Sequence, residues 1–145
     1  MSTKMFVNLP VKDLNRSIEF FTKLGYNFNP KFTDQNATCM VVSEDNFVML
    51  VTEDFFKTFT PKAISDATTS TEVIVSLSTD SRDAVDEMIK RAIEAGATTP
   101  NKLQDLGWMY QHGFQDPDGH LWEVFYMDME QMERMNQMQN ASPEA

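Results

Sequence analysis

The order of predicted elements repeats once within the 145 residues, and this repeat limits the fold more than any other feature of the chain. Apolar positions spaced by three or four predict one helix after Asp13 and another after Asp80 or Ser81, and each helix runs into a glycine, Gly25 or Gly96. A β-rich run precedes each helix, and three more follow it. The sequence therefore predicts two βαβββ modules.

The two modules are predicted to share one domain, because a chain of this length is too short for two independent cores. The first module covers about residues 4–53, with strands at residues 4–11, 26–32, 37–42 and 47–52. The second covers about residues 72–128, with strands at residues 72–78, 102–106, 108–115 and 120–127. The buried stripe of its helix is predicted at Val85, Met88, Ala92 and Ile93.

A linker over residues 54–71 joins the modules, and residues 129–145 form a C-terminal Met-rich helix or tail that frays beyond about residue 140. The linker carries Phe55, Phe56 and Phe59, which we expect either to cover a ligand cup or subunit contact, or to fill the gap between modules. Met129, Met132, Met135 and Met138 recur every three residues and are expected to pack on the domain or on a partner subunit.

The formal charge of -10, without a basic cluster, argues against a nucleic acid partner. No apolar stretch approaches the roughly 20 residues that cross a bilayer, and the N-terminus lacks the apolar segment of a secretory signal. We therefore expect a cytoplasmic protein without a membrane partner. The single cysteine, Cys39, cannot form a disulfide within the chain and is expected to be a small buried hydrophobic residue.

Strand alternation predicts which residues face away from the helices. On the later strands these include Ile74, Ser76, Gln111, Glu123 and Phe125. The expected fold class is α+β, with the two modules forming a cup-shaped mixed sheet and the helices on its outer face.

Two segments resemble the glyoxalase, bleomycin resistance and extradiol dioxygenase proteins of the vicinal oxygen chelate superfamily. The first is residues 7–14 (VNLPVKDL), with Arg16, Ser17 and the helix end Leu24-Gly25-Tyr26. The second is residues 116–124 (DPDGHLWEV), which resembles the DPDG-x-x-x-E hairpin of the family. The resemblance covers about residues 4–128 and implies the paired-module fold; it says less about the reaction.

Metal-using members of that family carry a ligand on the inner face of the first, fourth, fifth and eighth strands. The resemblance places these four positions at Phe6, Met49, Ile74 and Glu123. Only Glu123 could bind a cation, so the resemblance implies that the usual metal site is largely dismantled. A divalent metal stays open as an alternative, with Glu72 as a weaker second carboxylate that we expect to be solvated.

Glu123 is the predicted catalytic or anchoring residue, and three roles remain open for it. It could serve as a hydrogen-bond anchor or general base for a small ligand, as a surviving metal ligand, or as a structural carboxylate paired with Gln111, Asn8 or Ser76. His112 and His120 share the alternation of the helix-facing residues, so neither is expected to be functional. The turn at residues 116–119 is expected to be structural.

The first functional hypothesis is a protein that binds a small, partly apolar molecule in the cup. The predicted ligand-binding residues are Phe6, Asn8, Met49, Ile74, Ser76, Gln111 and Phe125, together with Glu123. The alternatives are a metal-dependent lyase of the glyoxalase I kind or a dioxygenase, and a dimeric interaction module without a ligand. The resemblance also implies a homodimer.

Overall fold

The computed structural model describes residues 2–141, which form two modules in succession. The elements of the first are β1 (Met5–Val11), α1 (Leu14–Lys23), β2 (Asn27–Asn29), β3 (Ala37–Val41) and β4 (Asn46–Thr52). A short helix, α2 (Glu53–Phe56), begins the linker. The elements of the second are β5 (Ile74–Ser78), α3 (Arg82–Glu94), β6 (Gln104–Asp105), β7 (Met109–Gln115) and β8 (Leu121–Met127). A last helix, α4 (Met129–Ala141), follows.

Each module forms its own four-stranded mixed sheet with the same strand order. The first sheet runs β1-β4-β3-β2 and the second runs β5-β8-β7-β6. The first and last strands of each module pair in parallel, and the remaining pairs are antiparallel. The prediction of an α+β fold built from two βαβββ modules is therefore confirmed.

The chain divides into two compact units that do not follow the order of the sequence completely. The first unit runs to Glu72 and also includes the turn Asp116–His120, whereas the second consists of Val73–Gln115 and the residues from Leu121 onward. A turn from the second half of the sequence is thus part of the first unit.

In the first unit, α1 packs its apolar side on the sheet. The Asp13 side chain caps the helix by accepting a hydrogen bond from the Arg16 amide at 3.1 Å. Phe20 and Phe21 are buried in the core of this unit, together with Val48 and Leu50 of β4. Burial of such side chains is the main favourable contribution to folding, at about 1.5–3 kcal/mol each.

The strand predicted at residues 26–32 is shorter than expected, because the chain leaves the sheet after Asn29. Pro30 has no amide hydrogen to donate to a neighbouring strand. The Asn29 side chain instead accepts from the Lys31 amide at 3.0 Å and caps a 3₁₀ turn over Pro30–Phe32. The predicted strand is too long because the Asn29 cap and Pro30 favour a turn over continued pairing.

In the second unit, α3 buries Val85, Ile89 and Ala92. The predicted stripe is wrong at Ile93, whose side chain is 52% exposed. At 3.6 residues per turn, Ile93 lies about 80° around the helix from Val85, whereas Ile89 lies only about 40° away. The sheet covers the part of the α3 surface that carries Val85 and Ile89 but not Ile93. The sheet residues in this core include Phe114, Trp122 and Val124.

The chain continues into α4 after Asp128, whose side chain accepts from the Gln131 amide at 3.0 Å. Met129, Met135 and Met138 of this helix are exposed. Residues 142–145, which include most of the predicted frayed tail, lie outside the described residues. None of the described helices combines the length and the apolar character that crossing a membrane requires.

Candidate functional site

The strongest candidate site lies on the distal face of the second sheet, by which we mean the face turned away from α3. Strand register brings Ser76 opposite Glu123 and Gln111 opposite Phe125. Ile74 lies at the start of the same face and is 46% exposed. Five residues predicted for the cup side are therefore neighbours on one surface.

Glu123 is the chemically distinctive side chain of this face, and it is half-buried. One carboxylate oxygen, Oε1, accepts a hydrogen bond from the Ser76 hydroxyl at 2.8 Å. The other oxygen, Oε2, accepts from the Gln111 side-chain amide. Two of the three partners considered from the sequence are thus in place. Because each carboxylate oxygen can accept a second hydrogen bond, this pairing leaves capacity for a ligand.

The backbone of β7 leaves room beside this carboxylate. Gly113 pairs with Glu123, and a β-carbon at position 113 would lie 2.9 Å from the Trp122 carbonyl oxygen and 3.8 Å from Cγ of Glu123. A cavity of about 230 Å³ opens here, and its walls include Gln104, Lys102 and Glu123. The volume suits a small polar group, since drug-sized ligands fill about 300–1,000 Å³.

The distal face of the first sheet, turned away from α1, carries the other predicted residues. Phe6 is 48% exposed and stacks on Phe47 with ring centroids 4.7 Å apart. Asn8 lies opposite Met49 across the β1–β4 pair. By strand register, Asn27 and Asn29 of β2 lie on this face too, so it combines apolar side chains with amides. The predicted cup that combines both faces stays a prediction.

Cys39 lies on β3 opposite Met49 and is buried, as expected from its apolar surroundings. Burial raises the pKa of its thiol, which disfavours the reactive thiolate.

Comparison with known proteins shows which structures and which family model this chain resembles. Residues 3–43 match the model of the bleomycin resistance protein-like N-terminal family. A glyoxalase/bleomycin resistance protein/dioxygenase family enzyme from Burkholderia phytofirmans PsJN is similar in structure, with a TM-score of 0.74 and 15% identity over 87% of this chain and 99% of that chain. The chain therefore shares the fold of the glyoxalase/bleomycin resistance protein/dioxygenase structures, and its N-terminal segment is similar to the bleomycin resistance protein-like family model.

Two further solved structures share the fold of this chain. Hypothetical protein SA1046 from S. aureus has a TM-score of 0.73 and 25% identity, covering 87% of this chain and 95% of that chain. TnmS3, an antibiotic binding protein from Streptomyces sp. CB03234, has a TM-score of 0.62 and 20% identity, covering 88% and 97%. No curated protein matches the chain.

The metal site that the superfamily implies does not fit the residues present at its four positions. Phe6 and Ile74 offer hydrocarbon and Met49 a thioether, whereas hard divalent ions take oxygen ligands and zinc takes imidazole, thiolate or carboxylate. The carboxylate of Glu123 is already hydrogen-bonded to Ser76 and Gln111. Across residues 2–141, His, Cys, Asp and Glu side chains form no group of three or more that could hold a metal.

The remaining carboxylate and the two histidines considered from the sequence lie in different surroundings. Glu72 precedes β5 and is exposed to solvent. His112 lines the small cavity beside Glu123. His120 is buried in the first unit, where its Nε2 donates to the Pro10 carbonyl oxygen at 2.6 Å. This contact belongs to the turn at residues 116–120 and ties it to β1.

A second cavity, of about 620 Å³, was not predicted from the sequence, and linker residues 60–67 form part of its lining. Lysines 12, 57 and 62 contribute to its walls although they are far apart in the sequence. No local sequence pattern predicts that these lysines share a cavity, because each one, taken alone, is typical of a solvent-exposed lysine.

Proposed function

We propose that the chain binds a small, partly apolar molecule on the distal face of its second sheet, with Glu123 as the polar anchor. The observation that supports this proposal most is the position and hydrogen bonding of the Glu123 carboxylate. It is half-buried, both of its oxygens are oriented by neighbours, and it lines a cavity. A carboxylate fixed in this way can accept a donor from a ligand with little further ordering.

The surroundings of Glu123 indicate the kind of ligand. Strand register places the apolar Ile74 and Phe125 on the same face as the acid, toward opposite ends of the β5–β8 pair, and Gln104 and Lys102 line the cavity. The ligand should therefore combine an aromatic or aliphatic body with a hydroxyl or amino donor. The carboxylate of Glu123 favours neutral or cationic molecules at this face over anionic ones.

The relatives give this proposal a precedent at the level of the fold. TnmS3, which is described as an antibiotic binding protein, has a TM-score of 0.62 to this chain. Binding without the metal of the family is consistent with the hydrocarbon and thioether side chains at three of the four ligand positions. A role of Glu123 as a general base stays a prediction.

An NMR titration with a panel of small aromatic compounds tests the proposal. Aromatic amines and phenols should shift the backbone amides of Gln111, Gly113 and Glu123, whereas matched aromatic carboxylates should not. In Glu123→Gln the loss of the negative charge should weaken the amine hits by about tenfold or more, equivalent to about 1.4 kcal/mol. Glu94→Gln, on the exposed side of α3, is the matched control and should bind like the wild type.

Two outcomes would reject the proposal. The first is equal binding of the amines by wild type and Glu123→Gln. The second is stoichiometric metal, seen by native mass spectrometry of protein purified without chelator, which would favour the alternative of a metal-dependent lyase or dioxygenase. The same spectrum would reveal a co-purified compound and test the expected homodimer.

A further inference from the structure

The larger cavity, of about 620 Å³, belongs entirely to the first unit. Its walls are linker residues 60–67, the end of β1, residues of and after α2, and the turn residues Asp118 and His120. It shares no residue with the cavity beside Glu123. We call it the linker cavity.

The linker cavity collects positive charge in an acidic protein. Three of the eight lysines of the chain line it, namely Lys12, Lys57 and Lys62. Within residues 2–141, Lys12 and Lys62 form no ion pair, and Lys57 has only a long contact of 3.9 Å with Asp54. The ammonium groups are therefore available to a ligand.

Two of the three carboxylates that line the cavity are already engaged by the protein. Asp118 accepts from the Lys12 amide at 2.8 Å and from the Arg16 guanidinium at 3.1 Å. Asp66 accepts from the amide and the hydroxyl of Thr68 at 3.0 and 2.6 Å. Hydrogen bonds from Thr68, with a smaller contribution from the charge of Lys12, lower the pKa of Asp66.

Glu53 is the third carboxylate, and it differs from the other two. It is half-buried in the first turn of α2, and among the described residues its side chain makes no hydrogen bond or ion pair. It can accept a hydrogen bond from a ligand donor. The cavity therefore offers several cations together with one free acceptor.

The walls of the linker cavity are held in place without a ligand. Gly119 lies so close to the linker that an added β-carbon would stand 2.8 Å from backbone atoms of Ala67 and Thr68. The His120 ring also connects the turn to β1, because it donates a hydrogen bond to the Pro10 carbonyl oxygen. A preformed site loses less conformational entropy when a ligand binds than a mobile one does.

We propose that the linker cavity binds a small molecule carrying a carboxylate or phosphate group together with a hydroxyl or amino group. Lys12, Lys57 and Lys62 hold the anionic group, since lysine binds such oxygens as a point charge. Glu53 accepts from the hydroxyl or amine. The net charge of the protein does not prevent this, because at physiological salt distant charges are screened beyond about 8 Å while contacts in a cavity are not.

NMR titrations at constant ionic strength test the proposal with inorganic phosphate and citrate, and with glycerol as the neutral probe. Phosphate and citrate should cause saturable shifts at the amides of Lys12 and of residues 62–67, and glycerol should not. In the double variant Lys57→Ala/Lys62→Ala, the dissociation constant should rise by at least about tenfold. The matched control, Lys23→Ala/Lys90→Ala, removes the same charge from exposed positions outside the cavity and should bind like the wild type.

The role of Glu53 has its own comparison. Tricarballylate is citrate without the hydroxyl group, so the wild type should bind citrate more tightly than tricarballylate. Glu53→Gln should reduce that preference while it leaves phosphate binding intact or stronger. Equal weakening of anion binding in the two lysine double variants, or the absence of saturable shifts, overturns the anion site. A citrate preference that persists in Glu53→Gln overturns the assigned role of Glu53.

Discussion

Asp118 and Ser17 lie 101 positions apart in the chain, yet the Asp118 carboxylate accepts a hydrogen bond from the Ser17 hydroxyl at 3.2 Å. Both residues are buried. The other carboxylate oxygen accepts from Arg16 and from the Lys12 amide. The DPDG turn is therefore more than a tight connection between two strands, because its second aspartate holds the start of α1.

Replacing Asp118 tests this structural role. Asp118→Ala would leave a buried hydroxyl and a backbone amide without their acceptor, so we expect the free energy of unfolding to fall by about 2–4 kcal/mol. Asp45→Ala is the control, since Asp45 pairs with Lys4 at the exposed surface and its loss should cost about 1 kcal/mol or less. Urea denaturation measures both values. A similar small loss in the two variants would contradict the buried role of Asp118.

Gly119 and Gly96 both have positive φ, at 92° and 106°, but their surroundings differ. A β-carbon at Gly119 would meet linker backbone at 2.8 Å, whereas one at Gly96 would meet nothing within 4 Å. Gly96→Ala should therefore cost about 1–2 kcal/mol, the strain of left-handed backbone. Gly119→Ala should cost roughly 1–3 kcal/mol more, because the packed linker must shift. Thermal unfolding measures both losses. Equal losses in the two variants would show that the close approach of Gly119 to the linker backbone does not affect stability.

Ile89 and Ile93 provide a matched pair of isoleucines on one helix. Ile89 is 5% exposed and Ile93 is 52% exposed. We expect Ile89→Ala to lower the free energy of unfolding by about 2–4 kcal/mol, from lost burial and the cavity it leaves. Ile93→Ala should change it by about 0.5 kcal/mol or less. Chemical denaturation of both variants measures these losses. A larger loss of unfolding free energy in Ile93→Ala than in Ile89→Ala would support the buried stripe predicted from the sequence.

Tyr26 should make the stability depend on pH in the alkaline range. Burial raises the pKa of Tyr26 from 10.0 to about 12. Between these values the unfolded chain loses the phenol proton while the folded chain keeps it, so stability falls as the pH rises. The slope is about 1.4 kcal/mol per pH unit, which gives a loss of roughly 2–3 kcal/mol in total.

The control for this prediction is Tyr26→Phe, which keeps the ring that packs edge-on against Phe21 at 6.3 Å. The difference in unfolding free energy between wild type and variant should narrow or reverse in favour of the variant as the pH rises from 9 to about 11.5. If that difference stays constant over this range, the phenol of Tyr26 does not titrate abnormally.

Much of the fold could be read from local patterns. The cap at Asp13 lies where the sequence placed it, and Ser81, one of the two residues predicted to begin the second helix, caps α3. The alternation that buries Trp122 and Val124 also brings Glu123 to the opposite face. Local patterns were less informative where two sequence features favoured different structures. Pro30 ended a strand that its neighbours favoured, and the width of the sheet beneath α3 decided between Ile89 and Ile93.

The candidate site beside Glu123 was partly predictable, because strand parity determines which side chains share a face. Which of Asn8, Ser76 and Gln111 would contact the carboxylate depended on strand register, and the register brought Ser76 and Gln111 to it. The alternation of side chains along the strands limits the possible hydrogen-bond partners of Glu123 to a few residues. The pairing of the strands then determines which of them reach it.

The sequence by itself determined the element order, the faces of the strands and the family resemblance, because these follow from short-range periodicity and from motifs that are continuous in the chain. Only the tertiary structure decided that Asp118 anchors α1 and that lysines 12, 57 and 62 line one cavity. The physical reason is that such contacts join positions far apart in sequence. Their geometry depends on how a turn and a linker pack, and no local pattern encodes that packing.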